Sequence, residues 1–170
     1  MISMNNIWVI SDTHFMHENI KKLSSRPENY NELIVADWKA KVSEDDIVLH
    51  LGDVAWPEGW ALLNELPGKK ILIRGNHDSK SMFTLMNRGF DLVVESLVLR
   101  IEGYKLCFSH VPMIHHEYDI NVCGHLHQNT DIVSDYPHYV ISLEKQGYGV
   151  QNLAELFPKF KSAIKTWRSA

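Results

Sequence analysis

The apolar positions of the chain fall in short runs separated by polar stretches, and the period of the pattern changes along the sequence. Ile7–Ser11, Ile47–Leu51 and Ile71–Ile73 are runs too short for a helix and rich in β-branched residues, so each reads as a buried strand. Between them the spacing turns helical. Asn31 to Val42 sets Leu33, Ile34 and Trp38 on one side. Pro57 to Leu66 opens on a proline and stops at Pro67-Gly68, and Ser79 to Arg88 closes at Gly89. Leu92 to Ile101, Glu102-Gly103 and Tyr104 to Ser109 read as a β-hairpin, followed by strands at Ile120–Cys123 and Tyr139–Leu143. Asn152 to Trp167 is expected to be mostly helical, with a break at Pro158. Strand–helix alternation early and hairpins late predict an α/β (α+β) chain, with a mixed sheet or two sheets and helices outside. With no linker or repeat in view, residues 1–170 read as a single domain.

Composition narrows the class. At 45% hydrophobic and 22% charged residues the chain is neither disordered nor a coiled coil. A balance of 17 basic against 21 acidic residues argues against a protein that lives on bulk electrostatic attraction to nucleic acid or anionic membrane. No secretory signal and no membrane-length apolar run is visible, so a soluble, cytoplasmic protein is expected. Cys107 and Cys123 sit inside apolar runs and read as buried free thiols. The departure from average is 10 His, a residue that serves as metal ligand and proton carrier near neutral pH.

Those histidines are not scattered. Asp12 and His14 follow the first strand, Gly52 and Asp53 the second, and Gly75, Asn76, His77 and Asp78 the third. His110 follows the hairpin, and Gly124, His125 and His127 follow Ile120–Cys123. Sites in α/β proteins form where the C-terminal ends of strands converge. Asp12, His14, Asp53 and His127 offer two carboxylates and two imidazoles, while Asn76, His110 and His125 offer an amide oxygen and two more imidazoles. Sharing Asp53 makes two sites of four protein ligands each. Carboxylate, imidazole and amide without thiolate suit Mn, Fe, Zn, Ni or Co, with Mn favoured here. Two such ions roughly 3.5–4 Å apart form the clamp used in phosphoester hydrolysis.

The segments Ser11-Asp12-Thr13-His14, Gly52-Asp53, Gly75-Asn76-His77-Asp78, Ser109-His110-Val111-Pro112 and Gly124-His125-Leu126-His127, in that order, resemble the calcineurin-like metallophosphoesterase family. Ser11–Phe15 with His17 following looks like its small single-domain bacterial and phage members. The resemblance implies a metallophosphoesterase-type β-sandwich of two mixed sheets flanked by helices. It implies a first metal on Asp12, His14 and His127, a second on Asn76, His110 and His125, and Asp53 between them. It also implies hydrolysis of a phosphomono- or phosphodiester by a metal-bridging hydroxide, with His77 contacting the phosphate and protonating the leaving group. A small phosphoester is the expected substrate. A nuclease or phosphodiesterase acting on short RNA or DNA is the alternative, favoured by Lys21, Lys22, Lys69, Lys70 and a basic C-terminal helix carrying Lys159, Lys161, Lys165 and Arg168. A non-catalytic scaffold of the same fold is a third reading, opposed by the complete ligand set.

Other residues carry competing readings. Asp78 is both partner to His77 and N-cap of the helix that follows. Arg74 contacts phosphate or, more simply, a surface acid. His17 faces substrate or a local hydrogen bond. His50 reads as core or support, His115 and His116 as a solvated loop pair near the rim, and His138 as a turn residue. Met16 either narrows the mouth or packs. Trp38, Trp56 and Trp60 are expected in the core, and Phe160, Ile164 and Trp167 on the inner face of the last helix.

Overall fold

The computed structural model describes residues 3–114, 117–129, 131–132 and 135–169. Its strands are β1 (Ile7–Ile10), β2 (Ile47–His50), β3 (Lys69–Ile73), β4 (Leu92–Val94), β5 (Ser96–Ile101), β6 (Tyr104–Ser109), β7 (Ile120–Cys123), β8 (His138–Val140) and β9 (Gln151–Asn152). Its helices are α1 (Ile20–Leu23), α2 (Tyr30–Lys41), α3 (Trp60–Asn64), α4 (Met82–Met86), α5 (Leu143–Gln146) and α6 (Leu153–Arg168). One sheet has the order β4-β3-β2-β1-β9 and the other β5-β6-β7-β8. Both are mixed: β1 to β4 run parallel with β9 antiparallel, and β6 to β8 run parallel with β5 antiparallel.

Alternation along the strands builds two cores at once. Val9, Leu49 and Ile73 face Leu106, Phe108, Ile120 and Val122 of the second sheet, and α6 closes that layer with Leu156, Phe157 and Phe160. Ile10, Val48 and Leu72 face the other way, onto Tyr30, Ile34 and Trp38 of α2, Leu63 of α3 and Leu85 of α4. The sandwich flanked by helices is therefore present. Parallel pairing also keeps strand ends in step: Ile10 lies opposite His50, and His50 opposite Leu72. The loops that leave β1, β2 and β3 consequently start at one rim.

Several elements differ from expectation. The apolar run from Leu92 is not one hairpin arm: β4 pairs with β3, and β5 crosses at Glu95 into the other sheet. The inward stripe of α2 is Tyr30, Ile34 and Trp38 at spacing four, and Leu33 is exposed. Pro57–Gly59 is a 3-10 turn leading into α3, and α4 begins only after Ser81, whose hydroxyl accepts the Thr84 N–H. β8 ends at Val140 because Ser142 caps α5, accepting the Lys145 N–H. Pro158 removes one donor from α6 without breaking it, since Leu156, Phe157 and Phe160 anchor the turns on both sides. Trp167 is 39% exposed, its indole N–H donating to the Asp135 carbonyl. His138 opens β8 rather than a turn, and both cysteines are buried and free. His115 and His116 lie outside the described residues. Among the described residues no helix is long and apolar enough to cross a membrane.

At the far end of the strands, Asp46 ties down the entry to β1 and β2. Its carboxylate accepts from Asn6 Nδ2 (2.8 Å), Trp8 Nε1 (3.0 Å) and the Ser43 N–H (2.9 Å). Burial works to raise its pKa, but those donors outweigh it and hold the carboxyl below its usual value. A depressed folded-state pKa contributes stability above the unfolded value, lost as pH falls through the folded one. Asp46→Asn should therefore cost about 1–3 kcal/mol at pH 7. The gap to wild type should narrow in urea unfolding near pH 3, and an equal gap at both pH values would remove the charge from this account.

Candidate metal centre

The rim made by β1, β2 and β3 meets the ends of β6, β7 and β8, and short hydrogen bonds lock the loops together. The Asp12 N–H donates to the Gly52 carbonyl (2.9 Å), the His14 N–H to the Asp53 carbonyl (3.0 Å), and the Gly124 N–H to the His110 carbonyl (2.9 Å). Across the two sheets, the His125 N–H donates to Asp12 Oδ2 at 2.8 Å. Two glycines make the approach possible. A Cβ on Gly52 (φ +97°) would meet Gly75 Cα at 2.6 Å and His110 Nδ1 at 2.8 Å, and one on Gly124 would collide with Ser11 Oγ and Asp12 Oδ2. The loops are also strained. Asp12, His14, Asp53, His125 and His127 have φ of 53°, 45°, 56°, 68° and 50°. Each such residue costs on the order of 1–3 kcal/mol and persists only where the surroundings fix it.

These loops gather two donor groups, Asp12 with His14 and His127, and Asp53 with His110 and His125; within each, the donor atoms lie within 4.8 Å of one another. Asn76 joins the second, its Oδ1 2.8 Å from His110 Nε2. Asp53 faces both: its Oδ2 is 3.6 Å from His14 Nε2 and 3.5 Å from His110 Nε2. Its Oδ1 accepts the His77 N–H at 2.9 Å. Asp12 divides its oxygens similarly. Oδ2 accepts from the Ser11 hydroxyl (2.5 Å) and from His125. Oδ1 points toward His14 and His127 at 3.9 Å from each Nε2.

The donor set fits divalent cations. Asp12 Oδ1 and both ring nitrogens of His14 are buried without a hydrogen-bond partner, a costly state in a dry site and the one a metal ligand requires. Burial first, then the positive charge of Arg26, lowers the His14 pKa to about 2, so its imidazole is neutral. Burial raises the Asp12 carboxyl and outweighs the lowering pull of His110. Burial also opposes the charged forms of Asp53 and His110, yet their mutual attraction prevails. The Asp53 carboxyl is held at about 2 and the His110 imidazole at about 9. In the metal-free chain that imidazolium is the cation between the carboxylates. His110 Nδ1 donates to the Leu51 carbonyl (2.7 Å), which leaves Nε2 as its metal-facing nitrogen.

Surrounding residues sort themselves. His50 is buried support: its Nδ1 accepts the Gly52 N–H (3.2 Å), and its Nε2 meets Thr13 Oγ1 (2.9 Å), which donates to the Val54 carbonyl. Asp78 does not cap α4. Its oxygens accept the N–H groups of Asp53 (2.8 Å), Val54 (3.1 Å) and Gly75 (2.8 Å), pinning two loops together. His77 stands half exposed at the mouth, Nε2 4.0 Å from Asp53 Oδ2. His17 reaches the mouth as well and stacks on Trp56 at 3.6 Å between ring centroids and 3° between planes, so Trp56 belongs to the site rather than the core. A cleft of about 370 Å³ opens over the donors, walled by His17, Ile20, Leu23, His77, Leu126 and Asn129. Arg74 is not part of that wall; it pairs with Glu95 at 3.0 Å on the surface. Met16 is exposed and likewise outside it.

Two residues escaped the sequence reading. Glu144 Oε1 lies 3.0 Å from His127 Nδ1, and the buried Arg26 holds that same oxygen at 2.8–2.9 Å. Glu144 carries a signal, since it too follows a strand end, but the apolar pattern runs on through Ile141 and Leu143, past the end of β8 at Val140, and hides it. Arg26 carries no pattern: it lies in the loop between α1 and α2 and reaches the site only through the fold.

Comparison with known proteins agrees with this architecture. Residues 5–141 match the calcineurin-like phosphoesterase superfamily domain. The uncharacterized protein MJ1445 of Methanocaldococcus jannaschii is 33% identical over 148 residues, 80% of this chain and 76% of that protein. The Gene 66 protein of Mycobacterium phage L5 is 31% identical over 119 residues, 64% of this chain and 52% of the phage protein, so the match spans about half the phage protein's length. The crystal structure of AQ665, a protein of unknown function from Aquifex aeolicus, superposes with a TM-score of 0.76 at 25% identity, covering 89% of this chain and 97% of that one. With the profile match running through all but the last strand and helices, the chain belongs to the calcineurin-like phosphoesterase superfamily.

Proposed function

We propose that this protein is a dinuclear-metal phosphoesterase acting on a small or short-chain phosphoester. Asp12, His14 and His127 would hold one divalent ion, Asn76, His110 and His125 the other, and Asp53 both. The observation that carries this reading is the single oxygen Asp53 Oδ2, set 3.6 Å from a nitrogen of one donor group and 3.5 Å from a nitrogen of the other. Bound there, the ions supply Lewis acidity, lowering the pKa of water and neutralising charge on the phosphoryl oxygens. Mn²⁺ is the favoured metal.

The chain's own side chains do the rest. The cleft over the donors, lined by His17, Leu126 and Asn129 among others, would receive the ester. His77 is the proton donor in this scheme. Its main-chain N–H is tied to Asp53 Oδ1, while its ring stays free at the mouth, able to give a proton to the departing alkoxide oxygen. Asp78 serves the step indirectly by fixing the loop that carries His77.

The nuclease alternative loses most of its supporting charges. Lys21 is paired with Glu18 (2.6 Å) and Glu28 (2.7 Å). Lys69 and Lys70 begin β3, at the end of the sheet away from the site, and Lys70 Nζ donates to the Gly68 carbonyl. On α6, Lys161 pairs with Glu102 and Arg168 with Asp119.

Asp53→Asn should weaken both metals together, because one anionic ligand is removed from two sites; two tightly held ions in elemental analysis of that variant would refute the shared role. His77→Ala should keep its metals and slow turnover roughly 10²–10⁴-fold. The deficit should be smaller on nitrophenyl esters than on alkyl esters, and equal deficits would exclude His77 as the acid. Chelation should abolish activity and Mn²⁺ should restore it, whereas full activity after exhaustive metal removal would end the two-metal scheme.

A further inference from the structure

Behind the first donor group lies a buried ion pair that the scheme above does not use. The side chain of Arg26 is completely buried and that of Glu144 is 7% exposed. Arg26 donates to Glu144 Oε1 from Nε (2.9 Å) and from one terminal nitrogen (2.8 Å). It also donates to the main-chain carbonyls of Thr13 (3.0 Å) and Asp12 (2.7 Å). Glu144 Oε2 accepts the Ser142 hydroxyl at 3.2 Å, and Oε1 faces His127 Nδ1 at 3.0 Å. Nearby, the Tyr30 hydroxyl donates to the His14 carbonyl at 2.7 Å, and the Arg26 guanidinium lies 5.3 Å from the centroid of the Tyr30 ring.

Each contact restricts the first group. An ionised carboxylate can only accept, and the guanidinium can only donate. Two groups face His127 Nδ1: Glu144 Oε1 at 3.0 Å, which can only take its proton, and Arg26 Nη2 at 3.5 Å, which can only donate to it. The shorter contact assigns the proton to Nδ1 and leaves Nε2, 3.9 Å from Asp12 Oδ1, as the nitrogen free to ligate. Arg26 meanwhile grips the carbonyls of Asp12 and Thr13 in the strained loop of β1. Asp12 and His127 are thus fixed from behind through one ion pair, and the main chain at His14 through the Tyr30 hydroxyl. Asp78 pins the loops of the second group through their main-chain N–H groups, but among the described residues no carboxylate stands behind one of its imidazoles. His110 Nδ1 meets a neutral main-chain carbonyl, and Asn76 and His125 are exposed. A carboxylate behind a ligating imidazole orients the ring and raises its basicity.

We propose that Arg26 and Glu144 form a preassembled clamp that makes the Asp12–His14–His127 group the tighter of the two metal sites, with Glu144 acting as a positioning residue for His127. The proposal rests on the two-metal reading and adds an order to it: the first equivalent of metal enters the clamped group, and the second enters the open one.

Metal-free wild type, Glu144→Gln and His14→Ala would be titrated with Mn²⁺ by calorimetry, His14→Ala marking the isotherm of the second site alone. Wild type should show a tight and a weaker step. Glu144→Gln should weaken the tight step 10–100-fold and leave the other near its wild-type value. Nitrogen-15 NMR of the metal-free wild type should show His127 protonated on Nδ1, a readout that needs no variant to fold. Equal weakening of both steps, as a purely structural ion pair would produce, an unchanged tight step, or a proton on Nε2 overturns the clamp. Two-step binding with any of those results spares the two-metal reading, while a wild type that takes up no pair of ions removes both.

Discussion

Oppositely charged and polar groups crowded into one water-poor rim are the constraint on which this structure turns. Asp12 and Asp53 are buried within reach of four imidazoles, and neither carboxylate has a lysine or arginine side chain of its own against the oxygen that faces the site. Left alone, such an arrangement is expensive. The fold tolerates it because its main chain does the holding: the N–H groups of His77 and His125 take one oxygen from each aspartate, and Asp78 absorbs three more N–H groups from the same loops. What remains unsatisfied is the outer oxygen of Asp12 and the imidazole nitrogens of His14. The sandwich supplies the rigidity, since both sheets deliver parallel strands to that rim and neither set of loops can relax without the other.

Much of this was legible beforehand, for a physical reason. Chemistry at the ends of parallel strands leaves a signature in one dimension: an apolar run, then a glycine or a serine, then a titratable side chain. Asp12, Asp53, His77, His110, His125 and His127 each carry it, and the structure brings them together. The reading failed where tertiary contacts decide. Pro158 should end a helix by local rules, but its neighbours are pinned in the sandwich core. Leu92–Ile101 has one continuous strand pattern, yet its halves belong to different sheets. Trp56 looked like core and stacks instead on His17. Arg26 stands many residues from anything it serves, so no spacing could have exposed it.

The two poles of the molecule do different work. At the entry ends of β1 and β2, Asp46 and its donors Asn6, Trp8 and Ser43 fasten the strands with a charge whose partners are all neutral. At the exit ends the loops carry strain, exposed imidazoles and a cleft. Both poles thus hold their buried carboxylates largely through neutral donors. The Arg26–Glu144 pair is the exception, a buried ionic contact that belongs to the exit pole and joins the β1 loop to α5.

The left-handed backbone at Asp12, His14, Asp53, His125 and His127 has a consequence for how such a centre can change over time. Aspartate, asparagine and histidine bear the strain of this conformation better than most side chains besides glycine. They are also oxygen and nitrogen donors. The loops thus constrain their own residue types: a drift from aspartate or histidine to a β-branched residue is penalised by the peptide geometry before any question of coordination arises. The choice of residues at this rim is in that sense constrained by its conformation as well as by what their side chains can ligate.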